Sequence, residues 1–246
     1  MAAQNPDNAR LLAGIERAAE GFRAELDRLA EESVPKDSVL PGWTRGHVLA
    51  HVAGVCNGMA RQLEYAARGE LIPLYDGGAE GRNREIEEGA PSSADEHRER
   101  TSAALDRALA AFRTLEGRDW ERPISYRDGA VRDGGLALWR ELVIHRTDLG
   151  TGESHHGWEP EFCEHLAQFL APRVPAGMRF VLHPEGGAPQ LLGDGDDAVD
   201  LHGRLTDLVA WLAGRPVEHA AVRAERAGQA VPLPEIGPWP AAQLAK

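Results

Sequence analysis

The sequence contains little cysteine, little lysine and no long apolar segment. Its 246 residues include two cysteines, Cys56 and Cys163, too few and too far apart for a disulfide framework or a CxxC motif. No stretch approaches the roughly 20 apolar residues that a membrane-spanning helix needs. The first ten residues have neither a basic region nor an apolar core, so we expect no signal peptide. These absences favour a protein of the reducing cytoplasm.

The charge balance argues against one large class of function. The chain has 39 acidic and 27 basic residues, a formal charge of −12, and lysine occurs only at Lys36 and Lys246. A nucleic-acid-binding protein needs a basic face that neutralises phosphates, and no run of Lys or Arg is present. The hydrophobic content of 42% is ordinary for a globular protein with a buried core. We therefore expect no nucleic-acid or membrane partner, and the oligomeric state stays open.

The first 150 residues have apolar side chains at the three- and four-residue steps of amphipathic helices. The pattern predicts helices over 8–32, 45–67, 93–115 and 134–149, the second capped by Thr44 and the third by a Ser93/Glu96 capping box. Four such helices predict a bundle, and bundle cores often hold metals. Residues 70–91 are rich in Gly and Pro and predict a long loop, and 124–132 predict a small hairpin.

The pattern changes after the segment 150–160, GTGESHHGWEP. We expect a helix over 160–171, short strands over 178–183, 189–193 and 197–203, a helix over 203–214, and an irregular proline-rich tail. The predicted fold class is thus a four-helix bundle over residues 1–155, followed by a smaller α+β domain over 156–246. The pair His155-His156 falls in the glycine-rich connection, where we expect both side chains to be exposed.

Three residues suggest a metal centre. Glu141 and His145 are four residues apart in LWRELVIHRTDLG (138–150), so a helix places them on one face, one turn apart. His51 lies in the helical segment WTRGHVLAHVAGV (43–55), about ninety residues upstream. Two imidazoles and one carboxylate from two packed helices form the ligand set of an open zinc site, with a vacant fourth position. An open site implies chemistry rather than a structural role.

Each of these assignments has an alternative. His47 lies one turn before His51 and is an alternative ligand. Glu141 sits among apolar residues, where burial of an unpaired carboxylate is costly, but an arginine such as Arg140 or Arg146 would offset that cost as well as a metal. Asp148 either orients an imidazole from behind or is a solvated residue at a helix end.

Four segments together resemble the mycothiol-dependent maleylpyruvate isomerases. They are GWTRGHVLAHVAG (42–54), GRNREIEEG (81–89), LWRELVIHRTDLG (138–150) and LTDLVAWLAGR (205–215). The resemblance covers most of the chain in the same order. It implies an N-terminal bundle of the DinB-like type, a zinc held by His51, Glu141 and His145, and mycothiol as the thiol cofactor. It also implies that Arg82 and Arg215 contact a small anionic substrate.

The resemblance further implies an activity: cis–trans isomerisation of maleylpyruvate to fumarylpyruvate in a gentisate-type pathway. Zinc would lower the pKa of the mycothiol thiol, and the thiolate would add to the double bond and leave after rotation. Two alternatives remain open. One is a mycothiol S-transferase that conjugates the thiol to an electrophilic xenobiotic or biosynthetic intermediate, and the other is a zinc-binding protein without turnover.

Overall fold

The computed structural model describes residues 6–240. Over this range the chain forms seven α-helices and five β-strands, which fall into two compact units, residues 7–153 and 154–240. No helix in this range has both the length and the apolar character needed to cross a bilayer. The architecture is helical in the first unit and α+β in the second, which confirms the predicted fold class.

The first unit is built from five helices. Four of them, α1 (Asn8–Asp27), α2 (Arg45–Ala66), α4 (Ala94–Arg113) and α5 (Val131–Asp148), pack against one another around an apolar core. Thr44 caps α2 through its side chain, and Ser93 with Glu96 forms a capping box on α4, both as the sequence predicts. The fully buried side chains in this core include Phe22, Leu49, Met59, Phe112 and Trp139.

Helix α3 (Gly78–Gly89) corrects the predicted loop over 70–91. The glycines and prolines that suggested a loop stand mainly at the ends of this helix. Gly77 precedes it with a φ of 74°, and Gly89 is its last residue. The residues between are mostly polar helix formers, and Ile86 anchors them in the core. Because α3 packs on α2, it brings Arg82, the predicted substrate contact, close to α2.

The predicted hairpin over 124–132 is also wrong. Residues Tyr126–Asp128 form a 3-10 turn, and Arg127 and Asp128 adopt positive φ values of 55° and 51°. A single bridge joins Pro123 and Ala130, and α5 begins immediately afterwards at Val131. Two backbone hydrogen bonds, from Ile124 N–H to the Gly129 carbonyl and from Val131 N–H to the Arg122 carbonyl, flank this bridge. The immediate start of α5 leaves no room for a second strand.

The second unit combines a sheet with two helices, α6 (Pro160–Leu170) and α7 (Leu205–Leu212). The strands are β1 (Met178–Pro184), β2 (Gln190–Leu192), β3 (Asp197–Gly203), β4 (Arg223–Arg226) and β5 (Gln229–Val231), in the order β2-β1-β3-β4-β5. The first three confirm the predicted strands. The last two were not predicted, because each is short and lies in a polar segment. Strands β1 and β3 are parallel, and alternate residues such as Phe180 and Val199 face the buried side beneath α7.

Candidate metal centre

Helices α2 and α5 bring the three predicted ligands together. His51 Nε2 lies 3.0 Å from a carboxylate oxygen of Glu141, and His145 Nε2 lies 3.0 Å from the same oxygen. The two imidazole rings are 4.8 Å apart and nearly perpendicular, at 87°. The three donor atoms all lie within 4.8 Å of one another. Residues separated by about ninety positions in sequence therefore direct their donor atoms to one point.

The imidazoles are the hydrogen-bonding partners that stabilise the carboxylate, and Arg140 adds a favourable charge interaction. Burial alone would raise the pKa of Glu141, but hydrogen bonds with His145 and His51 hold it well below its usual value. The alternative partner Arg146 is instead paired with Glu153 at 2.7 Å, and Arg140 is buried near Tyr126. Glu141 is thus ionised and ready to act as a ligand.

The two imidazoles differ in protonation in the metal-free protein. Burial lowers the pKa of His51 to about 4, so this ring is neutral, and because Arg82 donates to its Nδ1 the single ring proton lies on Nε2, towards Glu141. Burial also disfavours the charged form of His145, but hydrogen bonds to Asp148 and Glu141 outweigh it and raise the pKa of this ring to about 9. A metal that binds here must therefore displace a proton from His145.

Asp148 is fully buried and accepts a hydrogen bond from His145. Its carboxylate oxygen lies 2.9 Å from His145 Nδ1, on the ring edge away from Glu141. The reading of Asp148 as a solvated residue at the helix end is therefore wrong. A carboxylate behind the free nitrogen of a metal-binding histidine fixes its tautomer and raises its basicity. Asp148 therefore belongs to the surroundings of the candidate metal centre.

His47 is placed away from the cluster. Its Nδ1 accepts a hydrogen bond from the Thr44 backbone N–H at 3.2 Å, and its Nε2 lies 3.5 Å from Glu87. His47 therefore belongs to the N-terminal cap of α2, one turn before His51. Of the two candidate histidines on this helix, His51 is the one that faces Glu141.

Arg82 reaches the cluster from α3. Its Nη2 lies 3.2 Å from His51 Nδ1, and its guanidinium stands 6.0 Å from the ring of Trp43. Tyr75 is buried nearby. Burial raises the pKa of its hydroxyl, and a hydrogen bond with Arg82 partly offsets that effect. Trp43 and Tyr75 were not identified from the sequence: Trp43 precedes α2 without a spacing signal, and Tyr75 lies in the segment read as a loop.

Arg215 lies in the other unit, just after α7. Its Nη1 donates to the carbonyl of Ala213 at 2.9 Å, and its guanidinium stands 5.6 Å from the ring of Trp239. These contacts place Arg215 within its own unit and do not test the predicted role in binding substrate.

The donor set fits a zinc-type cation. Zinc bonds to imidazole nitrogen and carboxylate oxygen are about 2.0–2.2 Å long, so tetrahedral ligands stand roughly 3.3 Å apart. The two imidazole-to-carboxylate separations of 3.0 Å are close to that spacing, and all three donor atoms lie within 4.8 Å of one another. Among the described residues, this cluster offers two nitrogens and one carboxylate and no thiolate, a set that suits zinc better than the harder magnesium or calcium.

Comparisons with known proteins agree with this architecture. A search of curated protein sequences found no match. Among solved structures, a mycothiol-dependent maleylpyruvate isomerase superposes with a TM-score of 0.83 at 24% identity, over 95% of this chain and 98% of that one. A histidine-to-alanine mutant of a mycothiol-dependent maleylpyruvate isomerase superposes with a TM-score of 0.82 at 23% identity, with the same coverage. At these identities the likeness shows a shared fold.

The family assignment comes from the first unit. The family model for the mycothiol maleylpyruvate isomerase N-terminal domain matches residues 15–150, more than half of the chain. The match includes α2, α3 and α5, the helices that contribute His51, Arg82, Glu141 and His145. The chain therefore belongs to the mycothiol maleylpyruvate isomerase N-terminal domain family.

Proposed function

We propose that this protein is a zinc- and mycothiol-dependent isomerase that converts maleylpyruvate to fumarylpyruvate. The observation that carries the proposal is the convergence of His51, Glu141 and His145 on a single point, with no fourth protein ligand in this cluster among residues 6–240. Three ligands leave a coordination position for an exogenous group, as in catalytic zinc sites. Bound zinc would lower the pKa of a thiol at that position, and the thiolate would add to the conjugated double bond and leave after rotation about it.

The protein's own thiols are poor candidates for this chemistry. Cys56 is buried, and burial, with a smaller contribution from Glu141, raises the pKa of its thiol to about 12. Cys163 is also buried, and burial raises the pKa of its thiol to about 12. Both remain protonated near neutral pH, and a thiol is a weak nucleophile until it ionises. A small-molecule thiol is therefore required, in line with the mycothiol dependence named for the family.

Arg82 is the proposed contact for a substrate carboxylate in the bundle. Its guanidinium now donates to His51 Nδ1. An imidazole that binds a cation through Nε2 keeps its proton on Nδ1, so this acceptor exists only in the metal-free protein. With a cation held by His51 Nε2, Arg82 would be available to pair with a substrate carboxylate and to stabilise the enolate that develops on addition. For Arg215, the same role rests on the family resemblance alone.

A direct assay tests the proposal. Purified protein with zinc and mycothiol should change the ultraviolet absorbance of maleylpyruvate, and mass spectrometry should recover the mycothiol unconsumed. Stoichiometric loss of mycothiol into a conjugate would instead establish the S-transferase. If an authentic isomerase converts the substrate and this protein produces neither change, the proposal fails and a binding role remains.

Two neighbouring variants separate the ligands on α2. His51→Ala should abolish turnover and zinc binding at the bundle centre, because it removes one of three ligands. His47→Ala is the matched control on the same helix and should retain zinc and activity, with a loss of stability of about 1 kcal/mol from the weakened N-terminal cap. If only His47→Ala loses zinc, the ligand on α2 is His47 and not His51.

A further inference from the structure

A second cluster of metal-binding side chains lies in the α+β unit. His155 and His156 form the start of a 3-10 turn, His155–Gly157, and Asp207 lies in the first turn of α7. His155 Nε2 is 2.8 Å from one carboxylate oxygen of Asp207, and His156 Nε2 is 2.9 Å from the same oxygen. The three donor atoms lie within 4.8 Å of one another. The expected exposure of both histidines is wrong for His155, which is buried.

The geometry of this cluster closely resembles that of the centre in the bundle. In each, two imidazole Nε2 atoms approach one oxygen of a single carboxylate at 2.8–3.0 Å. In each, the two rings meet edge to face, here with centroids 4.5 Å apart and planes at 71°. Rings inclined in this way direct their nitrogens to one point from different directions, as the ligands of a tetrahedral ion do.

Burial gives this cluster a closed side and an open side. The side chains of Asp207 and His155 are 5% and 10% exposed, and Trp158 packs edge-on against the His155 ring. The His156 side chain is 39% exposed and provides the route from solvent. Burial of a carboxylate has a desolvation cost, and either two N–H donors or a bound cation would offset that cost. Three ligands with access from one side leave a coordination position for water.

We propose that His155, His156 and Asp207 form a second binding site for a zinc-class divalent cation, which ties the 3-10 turn to α7. The imidazole and carboxylate donors favour zinc over magnesium or calcium. The site should be the weaker of the two. His145 in the bundle has Asp148 behind its Nδ1, whereas none of the hydrogen bonds between described residues joins the Nδ1 of His155 or His156 to a carboxylate. Such supporting contacts are worth about 10–100-fold in metal affinity.

The test is metal stoichiometry in the full-length protein. The chain is stripped with a chelator, titrated with zinc, and its bound metal measured by plasma mass spectrometry. The wild type should bind two zinc ions, the second about 10–100-fold more weakly. His156→Ala should bind one, with the tighter affinity unchanged, and His51→Ala should retain only the weaker ion. His219→Ala removes another exposed histidine of the same unit and should still bind two.

The outcomes separate this proposal from the isomerase. Equal zinc stoichiometry in the wild type and in His156→Ala overturns the second site and leaves only a hydrogen-bonded triad. His156→Gln repeats the test if the alanine variant does not fold. Failure of the proposed isomerase would leave the difference between the wild type and His156→Ala intact, because the two sites share no ligand. Cobalt(II) substitution gives a second readout, since each of the variants His51→Ala and His156→Ala should keep only one of the two components of the wild-type visible spectrum.

Discussion

At the scale of single residues, Asp148 is the group that most sharply separates a metal centre from a set of hydrogen-bonded side chains. It is fully buried, and it accepts a hydrogen bond from the nitrogen of His145 that does not face Glu141. A carboxylate placed there keeps the His145 lone pair directed at the metal and makes it more basic. We therefore expect Asp148 to raise the metal affinity of the proposed centre without contacting the metal.

Asp148→Asn should weaken zinc binding at the bundle centre by about 10–100-fold. The amide preserves the shape and one acceptor oxygen but removes the negative charge behind the ring. The measurement is a competitive zinc titration against a chromogenic chelator. Asp133→Asn makes the same exchange on an exposed residue at the other end of α5 and should leave the affinity unchanged. If the two variants bind zinc with equal affinity, Asp148 does not support zinc binding.

The sequence predicts the residues of the bundle cluster but not their surroundings. A four-residue spacing places Glu141 and His145 on one helical face whatever the fold. The choice of His51 over His47 depends on the packing angle of α2 against α5, which spacing does not specify. The role of Asp148 was one of two open alternatives for the same reason. The partnership of His155 with Asp207 joins residues about fifty positions apart, and no local pattern indicates it.

At the scale of elements, the helices of the bundle were predictable where caps and apolar periodicity agree, and α3 was not. Glycines usually indicate a break, but those at 77 and 89 mark the two ends of α3. The helix exposes most of its polar side chains, so only Ile86 and the close approach to α2 identify it as part of the fold. A short helix with a single buried apolar anchor gives little periodicity to detect.

Two glycines of α2 should respond to alanine in opposite directions. A Cβ at Gly46 would lie 2.1 Å from the backbone oxygen of Ala90, so Gly46→Ala forces the chain after α3 away from α2. We expect a loss of about 1–3 kcal/mol in the free energy of unfolding. A Cβ at Gly54 meets nothing within 4 Å. Gly54→Ala should therefore gain about 0.5–1 kcal/mol, because alanine loses less conformational entropy in a helix.

Urea unfolding of the two variants measures this difference. Because both positions lie in the same helix, general effects of alanine on helix propensity cancel between them. Similar unfolding free energies for Gly46→Ala and Gly54→Ala would contradict the close packing of α2 against the chain around Ala90.

At the scale of the whole molecule, the division into a helical unit and an α+β unit followed from the change in sequence pattern near residue 155. Alternating apolar residues predicted β1 and β3 because both are half-buried. Strands β4 and β5 are mostly exposed and complete an edge of the sheet, so their residues carry little alternation. Their position depends on pairing with β3, a long-range contact that a local pattern does not contain.

The stability of the first unit should depend on pH through His97. This residue is fully buried in α4, and its Nε2 donates to the Ala90 carbonyl at 3.3 Å. Burial is the main cause that lowers its pKa below the ordinary 6.5, and Arg100 adds to that effect. The unfolded chain therefore takes up a proton that the folded chain excludes. The contribution of neutral, buried His97 to the free energy of unfolding is fully present above about pH 6.5. It is lost as the pH drops from there towards the lowered pKa of His97.

Urea unfolding of the metal-free protein at pH 7.5 and 5.5 tests this dependence. His97→Gln keeps a donor for the Ala90 carbonyl but has no titrating ring. The wild type should lose more stability than the variant over this interval, by at most about 1.4 kcal/mol per pH unit below pH 6.5. Parallel losses in the two proteins would exclude His97 as a source of the dependence.

The measurement that tests the central claim most directly is X-ray absorption at the zinc edge, with one zinc per chain, before and after mycothiol is added. Neither cysteine belongs to the cluster, so the starting spectrum should contain only nitrogen and oxygen ligands at about 2.0–2.2 Å. Mycothiol should then add one sulfur at about 2.3 Å. A spectrum that mycothiol leaves unchanged, or one already completed by a fourth protein ligand, would contradict an open zinc centre built from His51, Glu141 and His145.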